Sequence, residues 1–362
     1  MKFDVGIIGG GPAASAAAIC LRLAGHSVCV VAARSQKEKP TETSKPQLRQ
    51  LLRSIGAESA LTCCEPCHGI ISDWGLTSPT LKPSILDPFG NAWFINRHHF
   101  DLHMRKLAKE SGATWIEASA SDAAFEDGSV IIETTAGPVS AKWLVIANGS
   151  LQWASRVTNQ SIVVQDSLIA SWTRLDAILT ELCLSTETSD HGWWYMCPDS
   201  GARVVVCFIT DPESNRELKP FNADQWNKLF LKTRLSKSLT RFQPAMDVKA
   251  LRTGLAALTT RHGRSWVSIG DAAVLLDPLG SSGTATAIES AQRVSTAIDA
   301  ALRGDETQFE SYEGWSQGMV REFSMQRLAH YQSECDLRHS AFWQRRTVVR
   351  QAKRVCADRV KL

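Results

Sequence analysis

The stretch FDVGIIGGGPAASAAAICLRLAGHSVCVVA, residues 3–32, constrains the fold more than any other part of the chain. Residues 3–8 form a short, nearly continuous apolar run, as expected of a strand buried in a parallel sheet. Gly9-Gly10-Gly11-Pro12-Ala13-Ala14 follows and matches G-x-G-x-x-A. An Ala-rich helix then extends to about residue 24, Gly25 stands at its C-cap, and a second apolar strand covers 27–32. Gly9 permits the tight turn, Gly11 lets the backbone approach a pyrophosphate, and Ala14 is small enough for close helix–strand packing. The helix start at Pro12 and Ala13 brings free N–H groups to the phosphates. Strand, glycine turn, helix and strand in this order predict an α/β, Rossmann-like domain that binds a dinucleotide.

One element of the fingerprint is missing. The end of the second strand should carry an acid for the adenosine ribose, but the chain reads Val30-Val31-Ala32-Ala33-Arg34-Ser35. Arg34 has three readings: it favours a 2′-phosphate, stacks on the adenine, or is simply solvated.

At 362 residues the chain has room for two domains, or for one large domain with an insertion. A net charge of +3 is too mild to imply nucleic acid or an anionic membrane as partner. The apolar runs are far shorter than a membrane span, and the N-terminus enters a strand pattern directly, so the expectation is no membrane and a cytoplasmic location. Ten cysteines do not make a disulfide scaffold at this length. The cluster Cys63-Cys64-Glu65-Pro66-Cys67-His68 contains C-x-x-C-H, but no second C-x-x-C exists to complete a zinc site, so no metal is expected. Pro66 and Gly69 point to a loop carrying inert thiols, with a labile disulfide as the alternative.

A second small-residue run, GDAAVLLDPLGSSGTATAIESA, begins at Gly270. It resembles the late Gly-Asp motif of the class A flavoprotein monooxygenases, FAD enzymes built like para-hydroxybenzoate hydroxylase. That group includes the tryptophan halogenases and geranylgeranyl reductases. The resemblance implies that Asp271 binds the ribityl chain of FAD. It also implies that Gly280, Ser282, Gly283 and Thr284 bring a helix N-terminus to the pyrimidine edge of the flavin. Reduced flavin is anionic at that edge, and a helix N-terminus stabilises negative charge. The resemblance extends over nearly the whole chain. Thr41-Glu42-Thr43 is similar to the Gly-Glu-Ser segment after the second strand, which places Glu42 at the cofactor. WFINRHHFD resembles the start of a long helix whose Arg, here Arg97, contacts the cofactor. WLVIANG is similar to the strand and turn that close on FAD at Gly149, with Asn148 replacing Thr.

No second G-x-G-x-x-G appears, so hydride from NADH or NADPH would come either from a transiently docked molecule, as the resemblance implies, or from a separate reductase. The middle of the chain alternates with period 2, and HGWWYMCP-DSG-ARVVVCFITD predicts a hairpin. Trp193 and Tyr195 share one face and are the candidates for holding an aromatic substrate. Trp193-x-Tyr195-x-Cys197-Pro198 keeps the frame of the halogenases' W-x-W-x-I-P, while their F-x-P-x-S-x-G does not fit here. Lys82 is the one candidate for their lysine, but a lone Lys in a TLKPS loop is expected to be solvated. SYEGWSQGMVREFSMQRLAHYQ predicts one helix packed on the FAD domain, and the basic tail after Phe342 predicts a solvated helix face. The residues identify no catalytic base; by motif position the nearest titratable groups are His191, Tyr195 and Asp277.

Length, the GWWYMCP hairpin and the terminal AFWQRR are most similar to the small flavoproteins required for cysteine tryptophylquinone biogenesis in quinoprotein amino-acid oxidases. This implies a FAD-dependent monooxygenase, with NADH or NADPH as donor, hydroxylating an electron-rich aromatic. The substrate would be a Trp side chain in a quinoprotein oxidase precursor. A small-molecule aromatic hydroxylase, a halogenase-like or C=C reductase flavoenzyme and a non-catalytic flavin-binding assembly factor remain alternatives. The expected architecture is a discontinuous FAD-binding domain (1–73, 96–162 and 252–303), a β-rich substrate domain (74–95 and 163–251) and C-terminal helices (304–362).

Overall fold

A computed structural model describes residues 2–34, 38–75, 78–126, 128–179, 181–347 and 353–355. Its first sheet has a parallel centre of β1 (Lys2–Ile8), β2 (Val28–Val31), β8 (Thr114–Ile116), β11 (Val139–Ile146) and β18 (Trp266–Ser268). The short β17 (His262–Gly263) borders β18, and the hairpin of β9 (Ala120–Glu126) and β10 (Ser129–Thr134) pairs antiparallel with β11. Helices α1 (Pro12–Leu23), α2 (Leu48–Ser54), α3 (Arg97–Glu110) and α8 (Gly283–Leu302) pack into one apolar cluster on this sheet, joined by Phe309 and Tyr312. The run of alanines in α1, buried from Ala13 to Ala18, lets α8 and α3 lie close against it. α4 (Leu151–Thr158) covers the other face.

The second sheet contains β5 (Gly69–Asp73), β6 (Thr80–Pro83), β12 (Ile162–Asp176), β13 (Cys183–Ser189), β14 (Gly192–Asp199), β15 (Arg203–Thr210), β16 (Lys249–Leu258) and β19 (Val274–Leu275), with β20 (Lys353–Val355) beside β12. The predicted hairpin is β14–β15. Period 2 sends Trp194, Met196 and Phe208 to one face, where they pack under α6 (Ala223–Phe230) and α7 (Arg234–Ser238) through Trp226, Phe230 and Leu235. Trp193, Tyr195 and Cys197 take the opposite face. A three-stranded sheet of β3 (Glu42–Ser44), β7 (Ala92–Ile95) and β4 (Cys64–Cys67) lies in the order β3-β7-β4.

Several expectations need correction. Residues 69–73, assigned to the first domain, are a strand of the second sheet, whereas 92–95 belong to the small sheet. Residues 64–67 are an edge strand rather than a loop, because Pro66 has a partner, Trp93, on one side only and an edge position tolerates its missing N–H. The middle segment also holds α5 (Pro212–Leu218), whose Asp211 cap and Pro212 start were readable signals. α9 (Gln308–Arg338) starts on the first sheet, where Tyr312 donates to the Ser268 carbonyl, and continues onto the second, where Tyr331 meets Trp193. The tail is not a solvated helix face where described. In α10 (Ala341–Thr347) Trp343 is fully buried, and Arg346 reaches Asp211 and Asp166. Residues 348–352 and 356–362 of that tail lie outside the described residues. Among the described residues no helix is long and apolar enough to cross a membrane.

Candidate functional site

The turn after β1 is fixed by close approach. Gly9 has φ +126°, and a Cβ there would fall 2.2 Å from the Ala147 carbonyl oxygen. Gly11 is extended and caps α1, followed by Pro12. A Cβ on Gly11 would meet one atom within 4 Å, the Arg97 guanidinium Nη2 at 4.0 Å, so the turn opens toward Arg97. Arg97 is the first residue of α3, behind the Asn96 side-chain cap. Its Nη1 donates to both Glu42 oxygens (2.9 and 3.1 Å), while Nε and Nη2 donate to Asp101 (3.0 Å each). Burial alone would lower the affinity of Arg97 for its proton, but Glu42 and Asp101, with Asp271, more than offset it.

Glu42 also accepts from the Thr284 hydroxyl (3.3 Å) in the first turn of α8. Asp271 lies in a short turn, Gly270–Ala272, with its carboxyl pushed up to about 6. Burial among protein groups is the main cause and Glu42 adds to it, while Arg97 and Lys39 pull the other way. The following loop closes with Ser281 in the left-handed region, its carbonyl accepting from Lys45 N–H (3.1 Å). The buried Ser282 hydroxyl has no hydrogen-bond partner among the described residues. A Cβ on Gly283 or on Gly149 would find open space. Gly11, Glu42, Arg97, Asp271 and Thr284, from five separate segments, thus line one cleft.

Tyr195 packs against Cys197, Leu184, Cys67 and Phe94 and stands within electrostatic reach of Glu42 at this cleft. Burial, then the neighbouring Cys207 and Cys197 and also Glu42, push its hydroxyl well above the ordinary tyrosine range. Trp193 is a correction: it is packed at 1 % exposure among Tyr331, Phe342 and Trp343, behind the cleft rather than at an open wall. His191 sits in the β13–β14 turn, its carbonyl accepting from the Thr210 hydroxyl. Asp277 is buried in an ion pair with Arg327 (2.6 Å). Arg34 is exposed just beyond β2. Ala32 is buried beside Gly10, where a Cβ would lie 3.0 Å from Ala32 and 3.6 Å from the Trp115 ring.

Burial holds the thiols of Cys63, Cys64 and Cys67 above their ordinary range. Among the described residues no three His, Cys, Asp or Glu side chains gather to hold a metal ion. Lys82 is exposed on the edge strand β6. A hollow of 270 Å³ lined by Asp73, Glu187 and Arg234 lies on the helix-covered face of the second sheet, away from the cleft.

The donor set suits FAD. Open glycines stand at a helix start, the solvent-open carboxyl of Asp271 stands near Glu42 and Arg97, and a buried serine hydroxyl without a partner among the described residues lies at the second helix start. The family model for the FAD binding domain matches residues 2–323. The chain belongs to that family. This flavoprotein is a FAD-dependent oxidoreductase, and its α/β fold is the one shared by FAD halogenases and monooxygenases. It is 25 % identical over 368 residues to LodB of Marinomonas mediterranea, named as a FAD-dependent oxidoreductase, covering 95 % of this chain and 97 % of that one. The flavin-dependent brominase Bmp2 superposes with a TM-score of 0.81 at 21 % identity, covering 96 % of this chain and 94 % of the brominase. The peptidyl tryptophan dihydroxylase QhpG, essential for tryptophylquinone cofactor biogenesis, superposes with a TM-score of 0.78 at 20 % identity, covering 96 % of this chain and 79 % of that enzyme. Sequence reasoning missed Phe323, Arg327 and Tyr331 of α9, which approach the loop after Asp277 from behind. Their four-residue spacing on a helix was the available signal.

Proposed function

We propose that the flavoprotein is a monooxygenase that hydroxylates a tryptophan side chain of a partner protein during maturation of a tryptophylquinone cofactor. The convergence of Gly11, Glu42, Arg97, Asp271 and Thr284 beneath Tyr195 carries this reading. Gly9, Gly11, Pro12, Ala13 and Ala14 hold the pyrophosphate, and Asp271 accepts from the ribityl chain. Gly280, Ser282, Gly283 and Thr284 meet the pyrimidine edge, with Glu42, Arg97 and Gly149 along the wall and Arg34 at the adenosine end. When bound, FAD supplies the activation of dioxygen. The chain's own part is to orient the aromatic and exclude water, through Tyr195, Phe94, Leu184 and the packed sheet behind them.

The peptidyl substrate is supported by the likeness to QhpG over nearly the full chain. The partner is accordingly a quinoprotein oxidase precursor, and NADH or NADPH docks transiently as the donor. Halogenation is less favoured because Lys82 is exposed at a sheet edge. The test is oxygen uptake by the FAD-loaded protein with NADH or NADPH, with and without the precursor, followed by mass analysis of the precursor. Precursor-stimulated uptake with oxygen added at a tryptophan is the expected result. Uptake indifferent to the precursor, with no mass change, rejects the reading.

A further inference from the structure

The loop from Asp277 to Gly283 is held from behind by one stripe of α9, the residues Phe323, Arg327 and Tyr331, each four positions after the last. Asp277 is 1 % exposed and divides its two oxygens. Oδ1 accepts from the Leu279 N–H (3.0 Å) and so shapes the loop. Oδ2 accepts from Arg327 Nε (2.6 Å) and from the Tyr331 hydroxyl (3.0 Å). That hydroxyl in turn accepts from the Trp193 indole N–H (3.1 Å), and the Trp193 ring lies 6.1 Å from the ring of Tyr195, the residue within electrostatic reach of Glu42 at the cleft. Leu279 packs on the same aromatic cluster. Gly280 fits under Phe323 so closely that a Cβ there would lie 2.4 Å from the ring. The contacts of each residue are specific: a charged clamp, a shared hydroxyl and a glycine without room for a methyl. The family match ends at residue 323, so Arg327 and Tyr331 lie beyond it.

We infer that Asp277 is a positioning residue, clamped by Arg327 and Tyr331, that sets the loop and the α8 start against the pyrimidine edge of the flavin. The inference rests on the FAD reading of the cleft. Asp277 touches no reacting atom in this role. It fixes how near the backbone N–H groups after Ser281 come to the charge that reduced flavin carries. Buried, fully paired polar groups hold one geometry, because any slip leaves an unpaired group in a low-dielectric interior. The Tyr331–Trp193 leg ties that geometry to the packing behind Tyr195.

The experiment compares the full-length FAD-loaded protein with Tyr331→Phe, Gly280→Ala and Asp277→Asn, all at saturating FAD. The readouts are the visible spectrum of the bound flavin and its midpoint potential by dye-equilibrated reduction. Loosening the clamp should cut the preference for reduced over oxidised flavin about tenfold. For a two-electron couple that is about 30 mV more negative. Tyr331→Phe removes one hydroxyl and keeps the ring, so it serves where Asp277→Asn does not fold. A spectrum and potential unchanged in Tyr331→Phe and Gly280→Ala, whatever the melting temperatures do, overturn the inference and leave the FAD reading intact. A wild-type protein that takes up no FAD overturns both.

Discussion

Gly270 is packed so tightly on Ala13 that a Cβ at 270 would lie 3.1 Å from the Ala13 Cβ. The Gly-Asp turn near the end of the chain is therefore docked on the first helix, and Gly270, at φ +58°, also gives its N–H to Ser290 of α8. This contact brings Asp271 into the cleft opened by Gly11.

Asp271→Ala should weaken FAD binding more than any change in the Cys63–His68 segment. An accepting carboxyl lost from a buried hydrogen bond costs roughly 1–3 kcal/mol, about 5- to 150-fold in affinity. Cys64 is buried in the apolar cluster on the first sheet and Cys67 against Phe94 and Leu184, so Cys64→Ser and Cys67→Ser should retain flavin. Flavin titration of the three variants decides; release by a Cys variant but not by Asp271→Ala reverses the assignment.

FAD affinity should depend on pH through the same carboxyl. Its value of about 6 in the folded protein lies above the unfolded value of about 3.9. Burial is the main cause and Glu42 the next, with Arg97 and Lys39 opposing. In the flavin-free protein this group stabilises the fold fully below about pH 4, and that contribution is lost as pH rises through about 6. A ribityl hydroxyl donates best to the ionised form, so affinity should rise with pH up to about 6 and level off above it. Titrations across this range in wild type and Asp271→Asn test the point, because the variant should lose the dependence.

The adenosine end should be under-held, since Ala32 stands where an acid is expected. Ala32→Glu supplies the carboxylate and should tighten FAD by about 1–2 kcal/mol, less than the full value of a charged hydrogen bond. Arg34 is the rival: if it clamps the adenosine, wild type binds FAD tightly, Ala32→Glu changes nothing and Arg34→Ala is the damaging substitution. Equilibrium titration of both variants separates the two.

The C-terminal segment should contribute to stability through buried charge. Arg346 is 3 % exposed and donates to Asp211 (3.0 Å) and Asp166 (3.4 Å), while the neighbouring Arg345 is 25 % exposed. Arg345 also donates to Asp211 (2.8 Å), and Arg327 pairs with Asp166. Loss of Arg346 thus leaves each carboxylate one cation and should cost less than the about 3–5 kcal/mol of a fully uncompensated buried charge. Arg346→Met should still lower the urea midpoint more than Arg345→Met. Equal midpoints would mean that solvent reaches Asp211 and Asp166.

The cleft was legible because its residues sit in local motifs with fixed offsets: Gly9 and Gly11 before a helix, Asp271 after Gly270, and Arg97 at a helix start. What supports it was not. Asp277 finds Arg327 and Tyr331 on a helix whose own period shows only that one face is buried, not against what. Trp193 shares its face with Tyr195 as period 2 requires, but the sequence does not reveal that α9 and α10 cover it. Residues 64–67 read as a loop because proline weighs against a strand, and only the sheet order shows that the position is an edge.

The most direct measurement is titration of the purified full-length protein with FAD, followed by flavin fluorescence, with NAD as the control. The account predicts saturable quenching by FAD, none of that affinity by NAD, and a loss of about 5- to 150-fold in Asp271→Ala. No quenching by FAD, or quenching untouched by Asp271→Ala, would contradict a single FAD site built from both ends of the chain.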